Sequence, residues 1–212
     1  MQQVRISAAE GPEWEASATA TGPSPPGEFL FEASPLVVQS EALLEEIKLA
    51  ACARGARPSM LDVGCGSGRD AVIVASKGWA VMALDRDRSA VGRCRKLATT
   101  HRCVDFEAVR CTLKVAGDLV AAVQGSCFDA VMLNRTLHRE TLPELAQLLR
   151  PRGLLLFHTF LEGNTHPTDP KSVLGPSELR DTFEGCLDII RDEALPVDDG
   201  RVLSFFVARK PG

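Results

Sequence analysis

Met60-Leu61-Asp62-Val63-Gly64-Cys65-Gly66-Ser67-Gly68-Arg69-Asp70 is the stretch from which the fold follows. An apolar run too short for a helix ends in a carboxylate, three glycines come next at alternate positions, and a helical pattern starts at about Asp70. Glycine tolerates positive φ and lets the backbone approach a ligand that a Cβ would hold off, while a following helix offers unpaired N–H groups to an anionic group. A strand-to-helix turn that binds nothing needs one such glycine, so three predict a ligand-binding turn. The dinucleotide fingerprint G-x-G-x-x-G, started at Gly64, requires a glycine where Arg69 stands. The spacing is instead D-x-G-x-G-x-G.

Outward from that turn, continuous apolar runs alternate with helical periodicity. A helix from about Asp70 to Lys77 is stopped by Gly78, and Ala80-Val81-Met82-Ala83-Leu84 is a buried parallel strand ending at Asp85. Asp85 lies 21 residues beyond Gly64, where a second βαβ strand sets an acid against a ribose; the plainer alternative is an acid that caps the next turn. Ala90, Val91, Cys94, Leu97 and Ala98 form the next helical face. Residues 104–109 give a third strand in which Val104, Phe106 and Ala108 alternate with Asp105 and Glu107, residues 118–124 a short helix, and residues 128–133 a fourth strand ending at Asn134. Thr141 and Glu144 form a capping box for a helix with Leu142, Leu145 and Leu148 inward. Residues 154–160 are a fifth strand and 162–175 a polar loop. Pro176 starts a helix with Leu179 and Phe183 inward, and residues 187–192 and 202–209 are two last strands around Asp198-Asp199-Gly200. The expected fold is α/β, a doubly wound, mostly parallel seven-stranded sheet with an antiparallel C-terminal hairpin.

Upstream, residues 1–28 are rich in Pro, Gly, Ser and Thr without periodicity, and are expected to be a disordered tail before a single domain at 29–212. Helical periodicity over about 38–53 points to a helix capping the sheet edge. A sharper alternative makes Phe29, Phe31 and Pro35 part of a lid over the ligand. At 212 residues, 45% hydrophobic, the chain can bury one ordinary core. Its apolar runs fall far short of the roughly 20 residues that span a bilayer, and a formal charge of -4 gives no basic footprint for nucleic acid. Seven cysteines without a C-x-x-C pair suggest neither a zinc knuckle nor a disulfide framework, so no metal and a cytoplasmic location are expected.

With the acid on its strand, D-x-G-x-G-x-G resembles motif I of the class I S-adenosylmethionine (SAM) dependent methyltransferases, and the resemblance extends over about residues 29–210. Asp85 falls where that family holds the ribose. Phe128-Asp129-Ala130-Val131 stands as its fourth strand, and Arg150-Pro151-Arg152-Gly153 replaces the usual K-P-G-G. Gly66-Ser67-Gly68-Arg69-Asp70-Ala71, Gly78-Trp79 and Phe157-His158-Thr159-Phe160-Leu161 are similar to the small tellurite-resistance-type (TehB-like) group. The resemblance implies a Rossmann-like fold and SAM as cofactor. Asp62 and the backbone of Gly64, Cys65, Gly66 and Gly68 would hold its methionine end, Asp85 its ribose, and Leu84, Arg86 and Leu113 would flank the adenine. Asn134, at the end of the fourth strand, would join them. Arg110-Cys111-Thr112 departs from an acid common there, which Asp118 is a candidate to replace.

Methyl transfer from a sulfonium is an in-line displacement governed by alignment, with a base needed only for a protonated nucleophile. His138 is the candidate base, His158 and His166 weaker ones, since histidine titrates near neutrality. The expected substrate is a small molecule, approached between residues 29–36, 134–139 and 162–170. The rival reading is a SAM-binding or partner-binding module without turnover. A dehydrogenase conflicts with the glycine spacing. Arsenite-type methylation needs converging thiols, whereas Cys65 sits in the turn and the other cysteines are scattered among predicted helices and strands.

Overall fold

The computed structural model describes residues 31–197 and 199–212. The expected tail, and Phe29 of the proposed lid, lie outside them. The sheet has seven strands: β1 (Ser59–Val63), β2 (Ala80–Asp85), β3 (Phe106–Arg110), β4 (Phe128–Asn134), β5 (Leu149–Phe160), β6 (Asp188–Pro196) and β7 (Val202–Arg209). Their order is β3-β2-β1-β4-β5-β7-β6. Pairing from β3 through to β5 is parallel, and β7 runs antiparallel between β5 and β6. This is the expected α/β architecture. Strand order reverses between β1 and β4, the place where sheets of this kind leave a crevice for ligand at their C-terminal edge.

Helices α1 (Pro35–Gln39), α2 (Glu41–Ala53), α3 (Arg69–Ser76), α4 (Arg88–Thr100), α5 (Asp118–Ala122), α6 (Leu142–Leu145) and α7 (Glu178–Phe183) cover the two faces. Strand parity sorts the core. Leu61, Val63, Met82, Leu84, Val131, Leu133, Leu155, Phe157, Phe206 and Ala208 point to one face, with Leu142, Leu145, Leu179 and Phe183 packed on them. Met60, Val81, Ala83, Ala130, Met132, Leu154, Leu156, Phe205 and Val207 point to the other, beneath Leu44, Ile47, Ala71, Val74 and Val91. Because successive side chains alternate, Asp62, Asp85, Asn134 and His158 all fall on this second face, at the upper ends of their strands.

Several local expectations are corrected. The helix expected over 38–53 is two helices broken at Ser40. Val104 stands outside β3 and is 59% exposed, because Asp105 turns into the left-handed region at φ 54 before the strand starts. Thr141 and Glu144 form no capping box. Glu144 is buried, and its carboxylate accepts from Gly117 N–H at 2.8 Å and Val120 N–H at 2.9 Å, capping α5 instead of its own helix. The Thr141 hydroxyl donates to the His138 carbonyl, and α6 is a single turn preceded by a 3-10 turn at Arg139–Thr141. Pro176 does not open α7, whose N-cap is Ser177 at φ 58. Arg152 occupies φ 66, a region that glycine adopts without the Cβ clash.

Candidate active site

The turn after β1 is fastened to β2 by its own backbone: Gly64 N–H and Cys65 N–H both donate to the Leu84 carbonyl, at 2.8 and 2.9 Å. Gly66 N–H donates to Asp85 Oδ2 at 2.8 Å, and Asp85 Oδ1 accepts from Asp87 N–H at 2.8 Å. The acid at the end of β2 thus holds the glycine turn and the entry to α4 in one place. All three glycines have positive φ, 77, 55 and 79°, but for different neighbours. A Cβ on Gly64 would lie 2.7 Å from Thr136 Cγ2, so this glycine admits the chain leaving β4. A Cβ on Gly68 would lie 2.3 Å from Cys94 Sγ, so this one admits α4. A Cβ on Gly66 would meet nothing within 4 Å. Only Gly66 keeps its open side for a visitor.

Above the turn is a cavity of about 790 Å³. Gly64, Gly66, Leu84, Asp85, Arg86, Cys111 and Leu113 line one part of it. Arg135, Thr136, Leu137 and His138, with Phe160, Asp169, Lys171 and Ser172, line the other. Of the site residues expected from sequence, Gly64, Gly66, Asp85, Arg86 and His138 therefore share one space. Asp62, Cys65, Gly68 and Asn134 do not line it. Asp62 is 3% exposed on β1. Burial first, then the charges of Asp70, Cys94 and Asp85, hold its carboxyl well above the usual carboxylate range. Asn134 is engaged at both ends of its amide: the nitrogen donates to Asp70 Oδ2 at 2.8 Å and the oxygen faces His158 Nδ1 at 3.2 Å. Asp118 is turned from the site, its Oδ2 accepting from Lys114 N–H and Val115 N–H.

The histidines separate on burial. His158 is 1% exposed, and burial, assisted by Arg135, pushes its pKa down to about 4. Since Asn134 presents its oxygen, His158 Nδ1 carries the proton and donates, and Nε2 is left without a partner. It is a neutral packing group. His138 lines the cavity with its Nε2 3.3 Å from Thr136 Oγ1, and burial first, then the charge of Arg86, holds its pKa below the ordinary value. A neutral imidazole at pH 7 is the form a base requires. Thr136 touches both Gly64 and His138, a link hidden in the sequence because it depends on β4 lying beside β1.

The described part of the lid expected from the N-terminal segment, Phe31 and Pro35, does not reach this cavity. None of the described residues 31–36 lines it. Phe31 packs edge-on against His101, past the end of α4, with ring centroids 6.0 Å apart, and Ser34 N–H donates to Asp70 Oδ1. The wall opposite the glycine turn comes from the loop after β5. Arg139 holds that loop down, its guanidinium reaching both Glu178 oxygens at 2.6 and 2.9 Å and the Pro170 carbonyl at 2.6 Å. The cysteines are also less scattered than their sequence positions suggest. Cys94 packs on Gly68, three residues beyond Cys65, whose thiol donates to the Gly66 carbonyl at 3.7 Å, and Cys103 is within electrostatic reach of Cys94. Among the described residues no group of three or more His, Cys, Asp or Glu side chains is arranged to hold a metal ion.

Comparison with known proteins agrees with this geometry. The fold is shared with the N-methyltransferase NodS of Bradyrhizobium japonicum, solved with S-adenosyl-L-homocysteine, at a TM-score of 0.62 and 16% identity over 84% of this chain and 89% of that one. It is shared with TehB of Haemophilus influenzae at 0.57 and 17% identity, covering 78% and 62% of the two chains. The 1,6-didemethyltoxoflavin-N1-methyltransferase of Burkholderia thailandensis gives 0.55 and 21%, covering 83% and 81%. In sequence, uncharacterized protein UNK4.09 of Schizosaccharomyces pombe is 24% identical over 199 residues, and the chain spans 56% of that protein's length. The family described as methyltransferase domain matches residues 56–187, from the approach to β1 to the threshold of β6. That span is more than half of the chain and contains the glycine turn, Asp85 and His138, so the chain belongs to the methyltransferase domain family.

Proposed function

We propose that this chain transfers the methyl group of SAM to a small-molecule nucleophile in the cavity above Gly66. The observation that carries the proposal is the cavity itself, with a glycine turn and a strand-end carboxylate at one side and a half-buried neutral histidine at the other. Its volume lies within the range of small-molecule and cofactor sites.

The residues suit SAM. Asp62 is a buried carboxylate whose charge is raised in energy by Asp70 and Asp85, a setting that a cationic group near the turn relieves. The open side of Gly66 accommodates a ligand against the backbone, and Asp85 retains lone pairs for ribose hydroxyls after accepting from Gly66 and Asp87. Leu84 and Leu113 offer apolar surface for a base. When bound, SAM supplies an electrophilic methyl on a sulfonium. The chain's task is then to align the acceptor, to keep water out and to take a proton where the acceptor carries one. His138, steadied by Thr136, takes that proton, and Arg135, Lys171 and Phe160 border the acceptor. The seven free cysteines support a reducing, cytoplasmic setting. No helix among the described residues is long and apolar enough to cross a membrane.

The test is thermal denaturation with SAM, S-adenosylhomocysteine or NAD, followed by measurement of S-adenosylhomocysteine formed on incubation with metabolite fractions. Binding to the native state alone stabilises by about 2.7 kcal/mol at 100 times Kd. A shift with SAM and not NAD, with product formed in some fraction, is expected. No shift at millimolar SAM overturns the cofactor assignment, and a shift without product from any fraction favours a binding module.

A further inference from the structure

We propose that the methyl acceptor is a small organic anion, a flat molecule whose carboxylate or phosphate is taken by Arg135 and Lys171 while its nucleophilic end faces His138. The inference rests on the reading of the cavity as a methyl-transfer site and adds the chemistry of the acceptor. Arg135 and Lys171 line the same cavity as His138, one from the exit of β4 and the other from the loop after β5. Neither cation forms an ion pair among the described residues. Their arginine neighbours are engaged: Arg139 pairs with Glu178 and Arg201 with Asp199.

The charges of the lining do not cancel. Asp85 and Asp87 balance Arg86 and Arg93 at the cofactor end, whereas at the acceptor end Asp169 stands alone against Arg135 and Lys171. Asp169 is itself part of the turn that carries Lys171, since Lys171 N–H donates to its Oδ1 at 2.9 Å and Ser172 N–H to its carbonyl at 2.8 Å. Asp199 feels the charge of Arg135, but Arg201 Nε stands 2.9 Å from each of its oxygens. Four cations thus face three carboxylates around the cavity, and bound SAM adds a sulfonium. An acceptor that brings an anionic group completes this field, and a protonated amine is repelled by it.

Both cations are set in place by ordered backbone. Arg135 takes φ 57, and its N–H donates to the His158 carbonyl at 2.7 Å. Glycine would hold that conformation without strain, and of the non-glycine residues at positive φ among the described residues, only Arg135 lines this cavity. Lys171 follows Pro170, whose carbonyl accepts from Arg139 at 2.6 Å. A guanidinium fork matches the paired oxygens of a carboxylate or phosphate, and an ammonium adds a point charge beside it. Between them the wall is apolar: Leu137, Pro167 and Phe160 line it, and Arg201 lies over the Phe160 ring at 4.7 Å from its centroid. That surface suits a flat frame joining the anionic group to the nucleophile.

Calorimetric titration of the full chain with benzoate, phenyl phosphate, benzyl alcohol and benzylamine, alone and saturated with S-adenosylhomocysteine, separates charge from frame. At least one of the two anions is expected to bind about tenfold more tightly than the alcohol, with the amine weakest, and the stronger anion tells carboxylate from phosphate. Arg135→Gly should keep or raise Tm, because glycine relieves the left-handed strain, and still lose about tenfold in anion affinity. Lys171→Gln should lose a similar factor, Arg135→Lys less, and Lys48→Gln, on α2 and outside the cavity, nothing. Affinity for S-adenosylhomocysteine should hold in all four variants. Its loss in Arg135→Gly would mean that this cation holds the cofactor's own carboxylate, which overturns the proposal. Equal binding of all four probes, no anion bound at millimolar concentration, or full anion affinity in both Arg135→Gly and Lys171→Gln overturns it as well. If the unaltered chain does not bind S-adenosylhomocysteine, the cofactor assignment fails, while titration of the protein alone still decides the anion site.

Discussion

Replacing Asp85 with alanine removes the acceptor for two backbone donors at once, Gly66 N–H and Asp87 N–H, each at 2.8 Å. A hydrogen bond to a charged group contributes about 1.5–3 kcal/mol when its loss leaves a partner dry. Neither donor is left dry here, since Asp87 is exposed and Gly66 opens onto the cavity, so water replaces the carboxylate. The folding cost of Asp85→Ala is therefore expected at about 1 kcal/mol. That corresponds to a fall in Tm of roughly 2–4 °C for a chain of this size. The larger loss should fall on ligand binding, where the carboxylate both presents Gly66 and accepts from the ribose. An affinity loss of about 1.5–3 kcal/mol, or roughly 10- to 150-fold in Kd, follows. Titration calorimetry with S-adenosylhomocysteine measures it, and Asp85→Asn, which keeps one acceptor but no charge, should fall between. Unchanged Kd in a folded Asp85→Ala protein refutes the ribose role. A fall in Tm of more than about 10 °C would instead show that the acid serves mainly to hold the turn together.

Three further outcomes are expected. His138→Ala should lower turnover by about 10² to 10⁴ with S-adenosylhomocysteine affinity preserved, and the wild-type rate should rise with pH about a midpoint below the ordinary histidine pKa of about 6.5, because burial depresses it. Gly68→Ala should destabilise by about 2–4 kcal/mol, from positive φ and from the clash with Cys94 Sγ, and adding Cys94→Ala should recover the clash but not the backbone strain; denaturant unfolding measures both. His158 titrates at about 4 folded and about 6.5 unfolded, so between those values the unfolded chain binds the extra proton. Its contribution is fully present above pH 6.5 and lost as pH falls toward 4, about 3 kcal/mol in all, and His158→Phe should flatten that limb of a stability–pH profile.

What the sequence reveals about this molecule is what local pattern can encode. Apolar runs that end at Asp62, Asp85 and Asn134 identify β1, β2 and β4, and once their order is fixed by the parallel crossovers, parity alone sets Asp62, Asp85, Asn134 and His158 on one face of the sheet. Long-range partners stay hidden. Thr141 and Glu144 have the spacing of a capping box, yet Gly117 and Val120, 27 and 24 positions away, compete successfully for the carboxylate because α5 would otherwise begin with unpaired N–H groups. Asn134 stands at the right strand end to touch a ligand, but Asp70 and His158 use both ends of its amide.

The glycine turn shows the same division within five residues. Its alternate spacing forecasts three positions that tolerate positive φ, and all three adopt it. Which of them serves a ligand depends on what lies across from each: a threonine leaving β4, open space, and a cysteine on α4. A motif match therefore treats Gly64, Gly66 and Gly68 as equivalent, whereas their physical requirements are separable by substitution. Gly64 and Gly68 close the fold around the site, and their replacement should act first on stability. Gly66→Ala meets no atom and adds only the strain of φ 55, so it should fold with a loss of about 1 kcal/mol while obstructing whatever rests on the turn. The position that tolerates a side chain best in the empty protein is the one that should tolerate it worst when ligand is present, a reversal that arises only if the cavity above it is a binding site.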